Sequence, residues 1–590
     1  MIVKMKQVTL LISNKERKRA LGILRSLGAV HIKRKKFLSS GETSFLEDKI
    51  SIFEKAIALI SNFKTESEKS CPENKIPAFI DEINFLGKDI GDLQNRLIAI
   101  RKDLDWYEDW GIFSLDSLSK IKEYGLKPEL YILDKKEFKK SVLDQDIYLI
   151  KRDRSRYYVA SISDSKSSFS MAPQQIPSRE YNSLQEESSS VSEQIQEAHK
   201  RLLHLAGFKS CFNKYKLVLS KELEFAQVNS EMDGSEGFSF LEGFIPVDGV
   251  KKLGLLAEEE SWGLFLRDPE NPDEVPTLIR NPRWLRMIDP VFKLMDTIPG
   301  YEEYDISLWF LVFFSIFFAM IIGDAGYGLF FLITTFLIHI KNKNISKQIL
   351  QLIYCLSSAT IVWGAITGNW FGVERFSQLP FFNIFIIPGL NNFVDANQNN
   401  FIYFCFILGF SHLTIAHIVA ALRFSNSIKF LSHVGWIAIG WAMFLLTRGV
   451  VLNLQIPQTM PFFVIFGAFM VMMFSKPKIS ILKRITSSLL DLPFDIINFF
   501  ADILSYLRLF AVGYATVMIA ITFNNMAESI GFNSVPTIMA SIVIILLGHS
   551  LNIILGLMSV LVHGVRLNVL EFSTHLDLEW KGRSYKPFKE

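Results

Sequence analysis

The pattern of hydrophobic and polar positions changes character near Asp305. Before it, apolar residues are spaced among charges; after it they merge into long runs. In the first part, Lys6–Ile12 alternates like a short strand, Lys15–Leu27 has helical periodicity ended by Gly28, and Ala29–Lys33 reads as a second strand. Together they predict a small βαβ-like unit. Further on, Leu86, Ile90, Leu93, Leu97, Ile100 and Leu104 recur at alternating intervals of four and three, a coiled-coil seam that Gly111 breaks. A second seam runs through Leu184, Ser188, Val191, Ile195, Ala198, Leu202 and Leu205. Between them lie strand-like runs at Leu130–Leu133, Ile147–Ile150 and Tyr157–Ile162, and a Ser/Pro/Gln-rich loop at Ser165–Ser178. Two seams of similar length around a compact α/β segment predict an antiparallel coiled-coil rod with a lobe at each end. FSFLEGFIPVDGV and LGLLAEEESWGLFL, within Gly237–Leu266, predict strands around a short helix that complete the other lobe together with residues near 1–40.

The second part contains eight apolar runs: Ile306–Ile322, Leu329–Ile340, Ile349–Trp370, Phe401–Leu422, Val434–Val451, Phe462–Phe474, Leu492–Phe523 and Val535–Leu570. A bilayer span needs about 20 residues. The first two runs together exceed one span, and GDAGYG (Gly323–Gly328) predicts a tight turn between two spans. Leu379–Leu390 is apolar but too short to cross and reads as a re-entrant or interfacial loop. The last two runs exceed a hydrocarbon core of roughly 30 Å and should tilt or project beyond it. The expected architecture is an α-helical multi-pass membrane domain of eight spans (306–590), an α/β cytoplasmic domain of two lobes joined by the rod (1–270), and a Pro-rich linker (271–305).

Charge orients this arrangement. Lys341, Lys343, Lys347, Arg423, Lys429, Lys476, Lys478, Lys483, Arg484, Lys581, Arg583, Lys586 and Lys589 fall on one side of eight spans, and only Arg375 and Arg448 on the other. By the positive-inside rule both termini of this cell-membrane protein are expected in the cytoplasm. The N-terminal stretch has no apolar core of signal-peptide length before its charges begin.

Composition narrows the function classes. The 590 residues are 49% hydrophobic, with mean hydropathy +0.24 and net charge +3, too little to argue for nucleic acid. The basic run His31–Lys36 is local and reads as a solvated edge. Cys71, Cys211, Cys355 and Cys405 lie far apart, with no CxxC pair, so neither a disulfide framework nor a zinc site is expected. No GxxxxGK[ST] loop or GxGxxG is present, so the chain is not expected to bind or hydrolyse ATP, and no cofactor is called for.

Chemistry concentrates in the last two runs. Arg508 sits midway along Leu492–Phe523, where an arginine costs about 2.5–3.5 kcal/mol to insert and cannot shed its proton. It is either a functional cation or a structural one paired within a helix bundle. Ser505, Arg508, Val512 and Ala515 share a face of modest side chains, which a partner helix can approach. On the last run His549, Asn552, Gly556, Ser559, His563 and Arg566 recur at intervals of three and four, so a regular helix places them on one face; Glu571 falls slightly off that line. Arg566 also fits snorkelling to headgroups. Asp324, in the glycine turn, reads as a helix cap or as part of an aqueous inlet, and Asp502 as a helix-end or network residue. His412 and His417 are five apart and point to different sides, against a shared metal.

SYLRLFAVG around Arg508, GHSLN at Gly548–Asn552 and VHGVRLNVLEF at Val562–Phe572 resemble the last two spans of the a subunit of V/A-type ATPases, called subunit I in bacterial enzymes. FFAMIIGDAGYGL near Asp324, VWGAITGNWFG at Val362–Gly372 and LEGFIP at Leu241–Pro246 resemble other stretches of the same family, so the likeness covers nearly the whole chain. The resemblance implies a non-catalytic stator beside a rotor ring of proteolipid subunits, contacting peripheral stalks and the central-stalk apparatus. It implies that Arg508 is the essential arginine facing the ring, that Arg566 is the second arginine, and that His563, Asn552 and Glu571 lie near the ion pathways. Two positions depart: eukaryotic members carry histidine eight residues after the essential arginine, here Thr516, and glutamate ten residues before the second, here Gly556. The transported ion, H+ or Na+, stays open, as does the direction of coupling. The rival readings are a secondary transporter with a cytoplasmic coiled-coil domain, which should show broken spans repeated in two halves, and a membrane tether whose charges are structural. No second copy of the Arg508 segment is found.

Overall fold

A computed structural model of the chain describes residues 1–34, 41–63, 69–135, 138, 147–153, 156–163, 172–235, 237–342, 345–476 and 480–589. Lys35, Lys36, Lys343, Lys478 and the first half of the serine-rich loop (165–171) lie outside the described residues, as does the side chain of Arg484. The chain divides into two compact units. One comprises residues 12–23 and 34–240; the other comprises residues 1–11, 24–33 and 241–589.

In the first unit the two seams become the helices Ile76–Trp110 and Tyr181–Ala206. They run antiparallel: Glu82 meets Arg201 in a two-pronged ion pair, and Arg96 meets Glu187 further along. At the far end the Tyr107 hydroxyl donates to the Arg179 carbonyl (2.7 Å). Seam residues Ile100, Leu184 and Val191 are buried between them. Gly111 ends the first helix with φ +86°, a conformation that disfavours side chains. Two further helices, Gly41–Ile60 and Lys209–Glu231, pack beside one end of the pair around Phe53, Ile83, Leu205 and Phe212. The three strand-like runs form one antiparallel sheet with Arg156–Ser163 central between Lys127–Asp134 and Ile147–Asp153.

The second unit opens with a sheet in the order His31–Ile32, Phe238–Pro246, Met5–Ser13, Gly263–Arg267. Val247–Glu259 is the helix between the last two strands in sequence. The chain's end returns to this sheet: Phe588 N–H donates to the Val30 carbonyl (2.8 Å) and the Tyr585 hydroxyl to that of Ala29 (2.5 Å). The tail is therefore a fastened segment.

All eight apolar runs are helical. We label the helices α1 (Ser307–Ile322), α2 (Ala325–Lys341), α3 (Lys347–Thr367), α4 (Gln398–Arg423), α5 (Lys429–Leu452), α6 (Met460–Phe474), α7 (Ile481–Ser505), α8 (Leu507–Ile530) and α9 (Val535–Ser559). Among the described residues, five stretches are long and apolar enough to cross a membrane: Lys347–Thr367, Asp395–Arg423, Lys429–Leu452, Ile485–Ile530 and Val535–His575. A sixth is added if α1 and α2, bent by 117° at their junction, are taken together; α6 is shorter. Leu379–Leu390 holds only single turns of helix.

Between apolar helices in lipid, close packing replaces the hydrophobic effect, and small residues permit it. A β-carbon on Gly364 of α3 would lie 2.1 Å from the Ala325 nitrogen of α2, and one on Gly513 of α8 2.3 Å from the Met320 oxygen of α1. Gly435 and Gly467 serve α5 and α6 in the same way. The core between the helices is dense in aromatics, with Phe317, Phe406, Phe499, Tyr506 and Phe572 fully buried.

Candidate functional site

The chemistry gathers where α1, α4, α7, α8 and α9 meet. α7 and α8 are almost one helix, interrupted at Tyr506. That ring is completely buried against Gly409 of α4, where any side chain would collide with it, and its hydroxyl bonds His412 Nδ1 (2.7 Å). This joint fixes the first turn of α8 and with it Arg508. The guanidinium is half-buried, and its Nη1 is buried with no hydrogen-bond partner among the described residues. A buried donor without an acceptor is costly, more so when charged.

The helix after α9 departs from the regular face expected of it. It continues as π-turns at Val560–Gly564 and Leu567–Phe572. A π-turn closes over five residues instead of four, so each rotates the residues beyond it. His549, Asn552, Gly556 and Ser559 keep the α spacing; His563 and Arg566 come only after the first π-turn has begun. Glu571, off the line on an ideal helix, is brought under Arg566, with Oε1 3.7 Å from Nε. Glu571 is buried, while the Arg566 side chain is 53% exposed. Ser505 of α7 donates to the same Glu571 oxygen (2.9 Å), and the other carboxylate oxygen is buried with no partner among the described residues. His563 lies within electrostatic reach of both Arg508 and Arg566.

A second polar cluster lies along α8 and α9 on the other side of Arg508 in the chain. Asn552 Nδ2 donates to the Thr516 carbonyl (2.8 Å) and to the Tyr327 hydroxyl (3.1 Å), which contacts His549 Nδ1 at 2.6 Å. His549 Nε2 reaches Asn524 Oδ1 (3.1 Å). Thr516 spends its hydroxyl on the carbonyls of Gly513 and Ile321. Sequence reasoning misses Tyr327 and Asn524. Asn524 stands eight residues after Thr516 on one helix face, which is the signal that could have found it.

Asp324 is consumed by structure. Its carboxylate accepts the N–H groups of Gly326, Tyr327, Phe371 and Gly372, at 2.7–3.2 Å. It both caps α2 and clamps the 369–372 loop, where Phe371 and Gly372 have positive φ and turn successive N–H groups toward the anion.

Asp502 belongs to a chain of its own. Its Oδ2 lies 3.0 Å from His575 Nε2, His575 Nδ1 3.1 Å from His417 Nε2, and His417 Nδ1 3.4 Å from His433 Nδ1. His433 and His575 carry no spacing signal, because the four groups come from four separate elements. His412 and His417 do face different neighbours. Among the described residues no cluster can hold a metal ion.

No family model matches the chain. V-type ATP synthase subunit I of Borreliella burgdorferi is 32% identical over 619 residues, spanning the whole of both chains. V-type ATP synthase subunit I 1 of Treponema pallidum is 28% identical over 629 residues, again spanning both. A-type ATP synthase subunit I of Methanocaldococcus jannaschii is 26% identical over 540 residues, covering 84% of this chain and 74% of that one. With a full-length relative at that level of identity, the chain belongs to the V/A-type ATP synthase subunit I family.

Proposed function

We propose that the chain is the stator subunit of a rotary V/A-type ATPase or ATP synthase, that Arg508 acts on the carboxylates of a neighbouring proteolipid ring, and that the two polar clusters border offset half-channels for H+ or Na+. The observation that carries this is Arg508 itself: a permanent cation midway along a 46-residue apolar stretch, with a buried Nη1 lacking an acceptor among the described residues. An acidic site arriving on a rotor would supply that acceptor. A ring carboxylate must be neutral while it faces lipid; a fixed cation lowers its pKa by attraction, so it ionises and releases its cargo beside the stator. The same charge bars ions from passing directly between the half-channels. A membrane potential supplies about 2.3 kcal/mol per charge per 100 mV, so several ions must pass for each ATP.

In this reading all eight apolar helices cross, α1 and α2 as a short hairpin, with both termini cytoplasmic and the last two helices tilted. The loop charges support that orientation. The antiparallel pair and its lobe contact the peripheral stalk and the central-stalk subunit, and the chain itself catalyses nothing.

The test is Arg508→Ala in the intact complex. The variant should co-purify with ring and ATPase subunits yet lose ATP-coupled ion transport in vesicles. Full transport would reject the assignment.

A further inference from the structure

The chain of groups at Asp502 is laid out as a conductor of protons. Four side chains from α4, α5, α7 and the segment after α9 make three consecutive contacts of 3.0–3.4 Å. His417 and His433 are buried, and the His575 side chain is 11% exposed. The His417 ring lies within 11° of parallel to Trp436 and Phe499, the three centroids 5.8–6.1 Å from one another, so it is packed among aromatic rings while both its nitrogens meet the neighbouring histidines.

The contacts admit one consistent set of tautomers if Asp502 is ionised. Asp502 then accepts from His575 Nε2–H, His575 Nδ1 accepts from His417 Nε2–H, and His417 Nδ1 accepts from His433 Nδ1–H. Every imidazole is neutral and points the same way. A lone pair remains at His433 Nε2, and that atom is buried with no partner among the described residues. The ordered chain thus ends on an open acceptor, where a proton can be taken up. Around that end lie Lys429 and Asp577, ion-paired at 2.8 Å, and the Phe424 ring stacked on His433. At the other end Asp502, 28% exposed, precedes Ser505 by one helical turn, and Ser505 holds Glu571 beside Arg566. Tyr506 lies within electrostatic reach of both Asp502 and Glu571, and His412 within reach of His575.

We infer that His433–His417–His575–Asp502 is a proton relay between the surface near Lys429–Asp577 and the Ser505–Glu571–Arg566 cluster, which makes the transported ion H+. This rests on the stator reading above. A proton taken up at His433 Nε2 lets Nδ1–H pass to His417 Nδ1; His417 then passes Nε2–H to His575 Nδ1, and His575 passes Nε2–H to Asp502. One proton enters and one arrives. Handing it on toward Glu571 and turning the rings resets the chain, and the reverse sequence serves the opposite direction. Sodium has no place in such a path, because each contact is already at hydrogen-bond distance.

The test uses the intact complex in phospholipid vesicles, with ATP-driven acidification read by a pH dye. His575→Ala should slow pumping by about tenfold or more, the scale of a lost proton-transfer group, and free imidazole should restore much of it. Asp502→Asn should slow pumping without rescue. Wild-type rates in an assembled His575→Ala complex, or a loss that imidazole leaves untouched, would overturn the relay. If His575→Ala strips the subunit from the complex, Asp502→Asn decides in its place, and normal pumping there overturns it. Arg508→Ala run in parallel separates the two ideas: loss of pumping in Arg508→Ala beside normal pumping in His575→Ala removes the relay and keeps the stator. Transport of sodium without protons by the wild type does the same.

Discussion

Glu571 lies five residues after Arg566, and a π-turn makes those five residues one turn, bringing carboxylate and guanidinium to 3.7 Å. The Ser505 hydroxyl from α7 completes the contact at 2.9 Å. One buried carboxylate thus ties the last helix to α7 three residues before Arg508. Removing its charge while keeping its shape, by Glu571→Gln, should leave the complex assembled and reduce ion transport severalfold. Charge-assisted bonds are about twice as strong as neutral ones, so the Ser505 and Arg566 contacts weaken together. Arg566→Ala should impair transport less than Arg508→Ala, because Arg566 is half solvated and already paired. Pumping rates in vesicles, set against subunit co-purification, check both.

Thr516 and Gly556, the two positions that depart from the pattern the resemblance implies, face each other. A β-carbon on Gly556 would lie 3.9 Å from Thr516 Cγ2 and 3.0 Å from Ile322 Cδ1. Gly556→Ala should be tolerated, since the end of the isoleucine side chain can move aside. Gly556→Glu should cut transport about tenfold or abolish assembly, because it buries a carboxylate against Thr516 and Ile322, and desolvating an unpaired charge costs several kcal/mol. Thr516→Val, which keeps the shape but drops the bonds to the Gly513 and Ile321 carbonyls, should destabilise the subunit by only about 1 kcal/mol. Thermal unfolding in detergent and pumping assays check the three.

Glycine contacts offer a sharper stability comparison. Gly364→Ala drives a methyl group into the α2 backbone, where no side-chain rotation can relieve it. Overpacking of this kind costs about 1–3 kcal/mol or more. It should also loosen the junction that Asp324 clamps. Gly91, inside the helix Ile76–Trp110, has nothing within 4 Å of the same position. Gly91→Ala should therefore stabilise its helix by about 1 kcal/mol. Melting temperatures of the two variants should move in opposite directions.

Periodicity limits how much of this is legible in the sequence. A repeat reports neighbours on one element, so the seams found their buried residues, such as Ile100, Leu184 and Val191, and the strand runs found their sheet. The helices Gly41–Ile60 and Lys209–Glu231 pack beside one end of the pair, a placement no spacing encodes. The stripe on the last helix assumes 3.6 residues per turn; π-turns break that assumption, and nothing in Val560–Phe572 announces them. His417, His433 and His575 are joined across sequence separations of 16 and 158 residues, and only the fold brings them together. Asp324 is recognisable as a cap, but its second pair of donors, from Phe371 and Gly372, arrives from 47 and 48 residues away.

The antiparallel helix pair carries a pH-sensitive clasp. Glu187 accepts from Arg96 Nε (2.8 Å) and from Arg179 Nη1 (2.6 Å), so one carboxylate joins the two helices and the turn preceding the second. The Arg96 hydrogen bond, helped by the Arg179 charge, holds Glu187 below the usual carboxylate range. A carboxylate whose pKa is lowered by folding binds fewer protons in the native state than in the unfolded one near pH 4. Its contribution is therefore whole above the unfolded pKa, about 4.3, and drains away as pH falls through the lower folded value. Glu187→Gln removes the ionised form at every pH. The melting-temperature difference between wild type and Glu187→Gln should be constant from pH 7 to about 5 and shrink steadily below about pH 4. Added salt should shrink it too, because the partners are more than half exposed and screening weakens such pairs. A difference that instead grew on acidification would mean that Glu187 is protonated in the folded protein and the clasp is absent.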